Sequence, residues 1–171
     1  KGSDKLIKKI IKSVKEVIIA ADKKLSEIEN IGMGAAGQTD RQNGIIINAP
    51  NIGLQNVPIK EILEKEFSKP FYLGNDVEVA TIGEIFFGSG KGETDFVCIF
   101  AGTGVGSCIV QNGKIRYGAT GTAGEIGHII IEPNGRLCGC GAKGCLEAYA
   151  SRLAIEKKIR AELNRGVNSD I

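Results

Sequence analysis

Apolar residues recur at helical spacing near the N-terminus. Leu6, Ile7, Ile10, Ile11, Val14, Val17, Ile18 and Ala21 form one stripe, with lysines opposite. That period predicts a helix over about 3–25 with a solvated basic face. A short strand at 28–33 follows, then a polar loop, GAAGQTDRQNG, whose Asn43-Gly44 marks a turn. The apolar run IIINAP predicts the next strand, and APNIGLQNVP a loop. Pro58 opens a predicted helix, PIKEILEKEF, in keeping with the preference for proline at the first helical position. FYLG is a further strand, and 77–87 a further helix closed by Gly88, Gly90 and Gly92. This alternation is an α/β pattern.

Past GSGKGETD the pattern changes to strands alone. Residues 96–101, 107–111 and 114–117 are predicted as an antiparallel meander, with Gly102 to Gly106 as one turn and Asn112-Gly113 as a type I′ hairpin. A last helix is expected over 146–165, stopping at Gly166. The change of pattern puts a hinge at Gly88–Glu93, between a first lobe of 1–90 and a second of 91–171.

Composition adds little. The chain has 171 residues and a formal net charge of +2, which gives no electrostatic reason to expect nucleic-acid or membrane binding. No apolar run is long enough to span a bilayer. No signal-peptide cleavage pattern is visible in KGSDKLIKKIIKSVKEV. Five cysteines is an odd number and suits metal-bound thiolates in a reducing compartment better than a disulfide scaffold. Cys98 and Cys108 lie in apolar runs and read as small core residues.

The remaining cysteines change the picture. Between Gly121 and Ser151 lie Cys138, Cys140, Cys145 and the single histidine of the chain, His128. One imidazole and three thiols within a glycine-rich stretch make an ordinary tetrahedral zinc ligand set. Three further features carry candidate chemistry. Asn75-Asp76 sits where a strand meets a helix, as either a helix cap or a general base at the strand ends of an α/β sheet. Gly102-Thr103-Gly104-Val105-Gly106 is either a tight β-turn or a phosphate cradle. It is not a Walker A loop, because no Gly-Lys-Ser/Thr follows. Glu147 suits a helix start, whereas Glu125 has no evident capping role, and both stand a short step from the metal ligands.

These segments together resemble a known family. GTAGEIGH followed by NGRLCGCGAKGCLEAYAS is similar to the signature of the ROK (repressor, open reading frame, kinase) family. GMGAAGQTDRQNGIIINAPNIGLQNVPI resembles its sugar-lobe segment, GNDVEVATIGEIFFGSGKG its catalytic-aspartate helix, and FAGTGVGSCIVQNGKIRYGATG its phosphate hairpin. The resemblance covers about 28–155 and is nearest to bacterial glucokinases. It implies an α/β, actin-like ATPase (ribonuclease H-like) fold of two lobes. It also implies a cytoplasmic enzyme, a dimer or tetramer, that moves phosphate from magnesium-bound ATP to a hexose, usually glucose at its 6-hydroxyl. Asp76 matches the general base. Asn51, Asn75, Glu125, His128 and Glu147 match sugar ligands, and Gly102, Thr103, Gly104 and Gly106 the loop beside the transferred phosphate. His128 is then shared between zinc and sugar. Many members carry an aromatic residue near Leu54.

The family's kinases open with a strand and an Asp-Gly-Gly-Thr-type turn, which nothing before residue 28 resembles, and their C-terminal adenine-binding helices have no counterpart here. The chain therefore reads as the middle of a ROK protein, incomplete at both ends. The alternative to a kinase is the sugar-sensing part of a ROK transcriptional repressor.

Overall fold

The computed structural model describes residues 2–168. The chain forms two compact units, the first ending at Ala80 and the second starting at Thr81, so the division falls within a helix. That helix starts at Asp76, directly after the strand that ends at Asn75.

The first unit opens with helix α1, Gly2–Ala20, which ends five residues earlier than its apolar period predicts. Leu6, Ile7, Ile10, Ile11 and Val14 pack on the core, but Val17 is exposed, so the stripe runs on past the surface that it covers. Strand β1 is Ile31–Ala35, β2 Gln38–Asp40, β3 Ile45–Ala49, β4 Leu54–Val57 and β5 Phe71–Asn75, with helix α2, Ile59–Phe67, between the last two. β1 and β5 pair in parallel, from Ile31 opposite Phe71 to Ala35 opposite Asn75. This parallel partner carries β1 two residues beyond the predicted strand, through Gly34 and Ala35. β2, β3 and β4 form an antiparallel sheet in that order.

Two of these strands lie in stretches whose composition predicts loops. β4 forms because Leu54 and Val57 are buried, with Leu54 opposite Ala49 and Val57 opposite Ile46. β2 is polar, and its pairing with β3 supplies the backbone partners that its side chains do not. Ile46, Leu54, Ile59, Leu63, Phe67 and Phe71 are the heart of the core. Each such side chain contributes about 1.5–3 kcal/mol by leaving water. α2 starts one residue later than predicted, with Pro58 as the residue before its first turn.

Helix α3, Asp76–Phe87, follows β5 without a loop. In the second unit β6 is Phe96–Ala101, β7 Val105–Gln111 and β8 Lys114–Ile115, an antiparallel meander as predicted. Asn112 and Gly113 both take positive φ, 51° and 69°, the type I′ geometry. Cys98 faces Cys108 across β6 and β7, and the two form no disulfide. β7 begins two residues before its predicted start, so the glycine turn shrinks to Gly102–Gly104 and Val105 opens a strand.

The expected C-terminal helix is two helices. α4 spans Glu147–Ala150 and α5 spans Arg152–Asn164. Ser151 between them is extended (φ −70°, ψ 153°), and its hydroxyl accepts the Ala154 N–H at 3.2 Å. Ser151 is thus an N-cap that restarts the helix, buried at 4% exposure. Ser151→Ala removes that acceptor, and a loss of about 1 kcal/mol is expected as a lower denaturant midpoint. Among the described residues no helix is long and apolar enough to cross a membrane.

Candidate functional site

In the first unit the parallel pair β1–β5 delivers Asn75 and Asp76 to the start of α3. Asn75 Oδ1 accepts the Val77 N–H (2.9 Å), and its Nδ2 donates to the carbonyl of Gly37 (2.9 Å). Gly37 has φ of 91°, and a Cβ there would strike the Asn48 carbonyl, so only glycine brings that carbonyl to Asn75. Glu78 completes the start of the helix, its Oε2 accepting the Asn75 N–H at 3.2 Å. Asn75 thus caps the helix through its second N–H, and the Glu78 side chain reaches back to the Asn75 N–H.

Glu78 was missed by the sequence reading, although the N-x-x-E spacing is its signal. The Val77 N–H is shared between Asn75 and Asp76. The Asp76 carboxylate is exposed, and Oδ1 is held by the Val77 N–H at 3.0 Å. Asn51 lies in a 3-10 turn, Pro50–Ile52, exposed and closed by Gly53 in the left-handed conformation.

In the second unit His128, Cys138, Cys140 and Cys145 come together with one ligand atom each, all within 4.8 Å of one another. Cys140 Sγ and Cys145 Sγ are 3.8 Å apart, and Cys138 Sγ is 3.8 Å from His128 Nδ1. A disulfide would require a sulfur separation of about 2 Å. Tetrahedral zinc with bonds of about 2.3 Å to sulfur and about 2.0 Å to nitrogen sets its ligands about 3.5–3.8 Å apart. The spacing fits an ion and not a bridge.

The loop that holds these ligands is built on its own backbone. Isolated bridges join Ile130 to Cys145 and Leu137 to Lys143, and the Cys138 N–H donates to the Ala142 carbonyl at 2.8 Å. Tyr149 braces the loop from α4. Its hydroxyl accepts the Arg136 N–H at 2.7 Å, and the Arg136 guanidinium lies 4.7 Å from the ring centre. Its hydrogen bond with Glu132 also raises the Tyr149 pKa. Sequence reading had no access to this brace, whose partners meet only across the folded loop.

The thiols differ in their environments. Burial pushes Cys138 up to about 12 and raises Cys145, whereas a backbone hydrogen bond at Ala142 lowers Cys140. Two of the three thiols therefore resist ionisation without a cation beside them, and a metal would supply that charge.

Glu125 precedes a short 3-10 turn, Ile126–His128, that ends on His128, and both are exposed. His128 Nδ1 faces the sulfurs, leaving Nε2 as the other ring nitrogen. Glu147 is half-buried and has partners within its own unit. Its Oε2 accepts the Val105 N–H at 3.0 Å, and its Oε1 is 3.5 Å from Cys138 Sγ. Gly104 is the position where the turn passes that carboxylate, and a Cβ there would strike Oε2. The structure thus gathers Glu125, His128, the three cysteines, Glu147 and the glycine turn on the second unit, and Asn51, Asn75 and Asp76 on the first.

Comparison with known proteins decides the family. The ROK family profile matches residues 2–171. The chain belongs to the ROK family. This ROK chain is 38% identical over 160 residues to a glucokinase of Thermotoga maritima, covering 93% of the chain and 49% of the relative.

Among solved structures it is similar to a ROK family glucokinase from Streptomyces griseus in complex with glucose and AMPPNP. The TM-score is 0.79 at 36% identity, covering 92% of this chain and 50% of that one. It is also similar to a ROK family transcriptional regulator described as a homologue of the E. coli MLC protein. There the TM-score is 0.85 at 28% identity, covering 98% of this chain and 42% of that one. The fold is accordingly α/β, of the actin-like ATPase type, and the ROK chain holds part of it. It spans about half the length of the relatives that it matches.

Proposed function

We propose that the protein phosphorylates a hexose with magnesium-bound ATP, glucose to glucose 6-phosphate being the first candidate. The observation that carries this reading is Asp76. Asn75 and Glu78 bond at the helix start, and the Asp76 carboxylate, with one oxygen on the Val77 N–H, is exposed. A carboxylate so placed suits a general base that takes the proton of the attacking hydroxyl.

Asn51, Asn75, Glu125, His128 and Glu147 are the proposed sugar ligands, with His128 presenting Nε2. Glu147 has acceptor capacity beyond its bond to Val105, since a carboxylate offers about four lone-pair sites. Gly102, Thr103, Gly104 and Gly106 are proposed to lie beside the transferred phosphate. Phosphoryl transfer relies mainly on positioning and charge stabilisation, and fixed backbone N–H groups supply both. Residues 1–90 are proposed to carry the base and part of the sugar site, and 91–171 the phosphate turn and metal loop. Zinc is the proposed ion at His128, Cys138, Cys140 and Cys145, with a structural role.

The similarity to a glucokinase over 93% of this chain supports the kinase reading. The likeness to a transcriptional regulator at a TM-score of 0.85 supports a second reading, sugar sensing in a repressor. The two differ in turnover. With the full-length protein, glucose-dependent ADP formation from Mg-ATP is expected in a coupled assay. Tight glucose binding with no ADP formed would overturn the kinase reading in favour of the sensor.

A further inference from the structure

The glycine turn is held at both ends by one short segment. At its C-terminal end the Val105 N–H donates to Glu147 Oε2 at 3.0 Å. At its N-terminal end the Gly102 carbonyl accepts the N–H of Arg152, the first residue of α5, at 3.0 Å. Within the turn the Gly102 N–H donates to the Gly104 carbonyl, also at 3.0 Å.

Glu147 and Arg152 are close in sequence, and the backbone between them is braced. The Ser151 N–H donates to the Glu147 carbonyl (3.2 Å), and the Ala148 N–H to the Cys145 carbonyl (3.0 Å). Cys145, which starts this segment, is fully buried and is one of the four candidate metal ligands. A continuous path of hydrogen bonds therefore runs from the metal loop to both ends of the turn.

We propose that the Cys145–Arg152 segment is a two-point clamp on the glycine turn, so that affinity for a nucleotide polyphosphate depends on the metal loop. Glu147 is then a positioning residue for the turn, in addition to any contact with sugar. The proposal rests on the reading of this turn as the phosphate site. Its physical basis is preorganisation. Successive N–H groups form an anion-binding concavity only when the backbone dihedrals of the turn are fixed, and glycines do not fix themselves. A carboxylate bond to one N–H and a helix-start N–H on one carbonyl set them from outside. The bond to Val105 is charge-assisted and half-buried, which places it among the stronger hydrogen bonds. The tight passage of Gly104 beside Oε2 sets the carboxylate and the turn in one relative position.

The test uses the full-length, metal-loaded protein with two readouts. The first is hydrogen exchange of the Val105 amide, and the second is affinity for AMPPNP with magnesium in the absence of sugar. Glu147→Ala is expected to speed Val105 exchange and weaken AMPPNP binding, each by about tenfold. Glu147→Gln keeps an acceptor oxygen and is expected to recover most of both, which a merely structural loss would not do. Chelating the metal from the unmutated protein is expected to speed Val105 exchange as well.

Should Glu147→Ala fail to fold, Gly104→Ala displaces the same carboxylate from the turn side and gives the same exchange readout. Unchanged Val105 exchange in a folded, metal-bearing Glu147→Ala or Gly104→Ala protein would overturn the clamp. If the unmutated protein binds no AMPPNP, the phosphate reading of the turn is wrong and the proposed link to nucleotide falls with it. Val105 exchange would still report whether Glu147 holds the turn.

Discussion

Asp76→Asn in the full-length protein is expected to lower kcat for hexose phosphorylation by about 10²–10⁴-fold, the usual share of a positioned general base. Asparagine keeps an oxygen for the Val77 N–H, so the local backbone is preserved. Asn75 and Glu78 also bond at the helix start, so the substitution leaves the cap in place. The fall should appear in kcat with little change in KM, because the group taken away acts on the proton in flight and not on ground-state binding. Unchanged thermal stability and metal content would confirm that only chemistry was lost. A full-rate Asp76→Asn protein would remove Asp76 from the base role.

Removal of the metal is the second large effect. A structural zinc supplies on the order of 10 kcal/mol in model peptides, against about 5–15 kcal/mol for the stability of a whole domain. Backbone hydrogen bonds and the Tyr149 brace shape the stretch from Glu125 to Ser151, but it buries little apolar surface. Ile129, Ile130, Ile131 and Leu137 are exposed, and its backbone contacts include single bridges rather than an extended ladder. Chelation is therefore expected to abolish amide protection across 125–151 while leaving α2 and β5 protected in the first unit. Purified protein should carry one zinc per chain by elemental analysis. Absence of zinc from protein that is folded through this loop would overturn the metal reading.

The pH dependence follows from the thiols. Cys138 and Cys145 have raised pKa values in the metal-free fold, so they carry protons at neutral pH and release them on metal binding. Affinity for zinc should fall as pH falls, and calorimetry in buffers of different ionisation enthalpy should detect proton release.

Much of the second unit was legible in the chain itself. The scarcity of histidine and cysteine elsewhere singled out the four ligand residues. The Asn112-Gly113 dipeptide specified a hairpin whose φ values it satisfies. Asn75-Asp76 was legible as a strand-to-helix junction, yet its spacing left cap and base as equal claims on the same pair. In the fold Asn75 and Glu78 bond at the helix start and the Asp76 carboxylate is exposed, and the base role of Asp76 is a proposal.

What the sequence determined by itself is whatever depends on local chemistry or on a period within one element. The buried stripe of α1, the core face of α2, the type I′ turn and the candidate metal ligands His128, Cys138, Cys140 and Cys145 are of this kind. The tertiary structure alone decided the rest. β4 exists because Leu54 and Val57 find Ala49 and Ile46 opposite them, in a stretch whose composition reads as loop. β1 extends through Ala35 because a parallel partner arrives from Phe71–Asn75. The last helix breaks at Ser151 because that residue is buried in an extended conformation and caps a new start. Glu147 reaches Val105 across 42 residues of chain. For the strands and for Glu147 the partner is distant in sequence, and periodicity holds no record of which partner that would be.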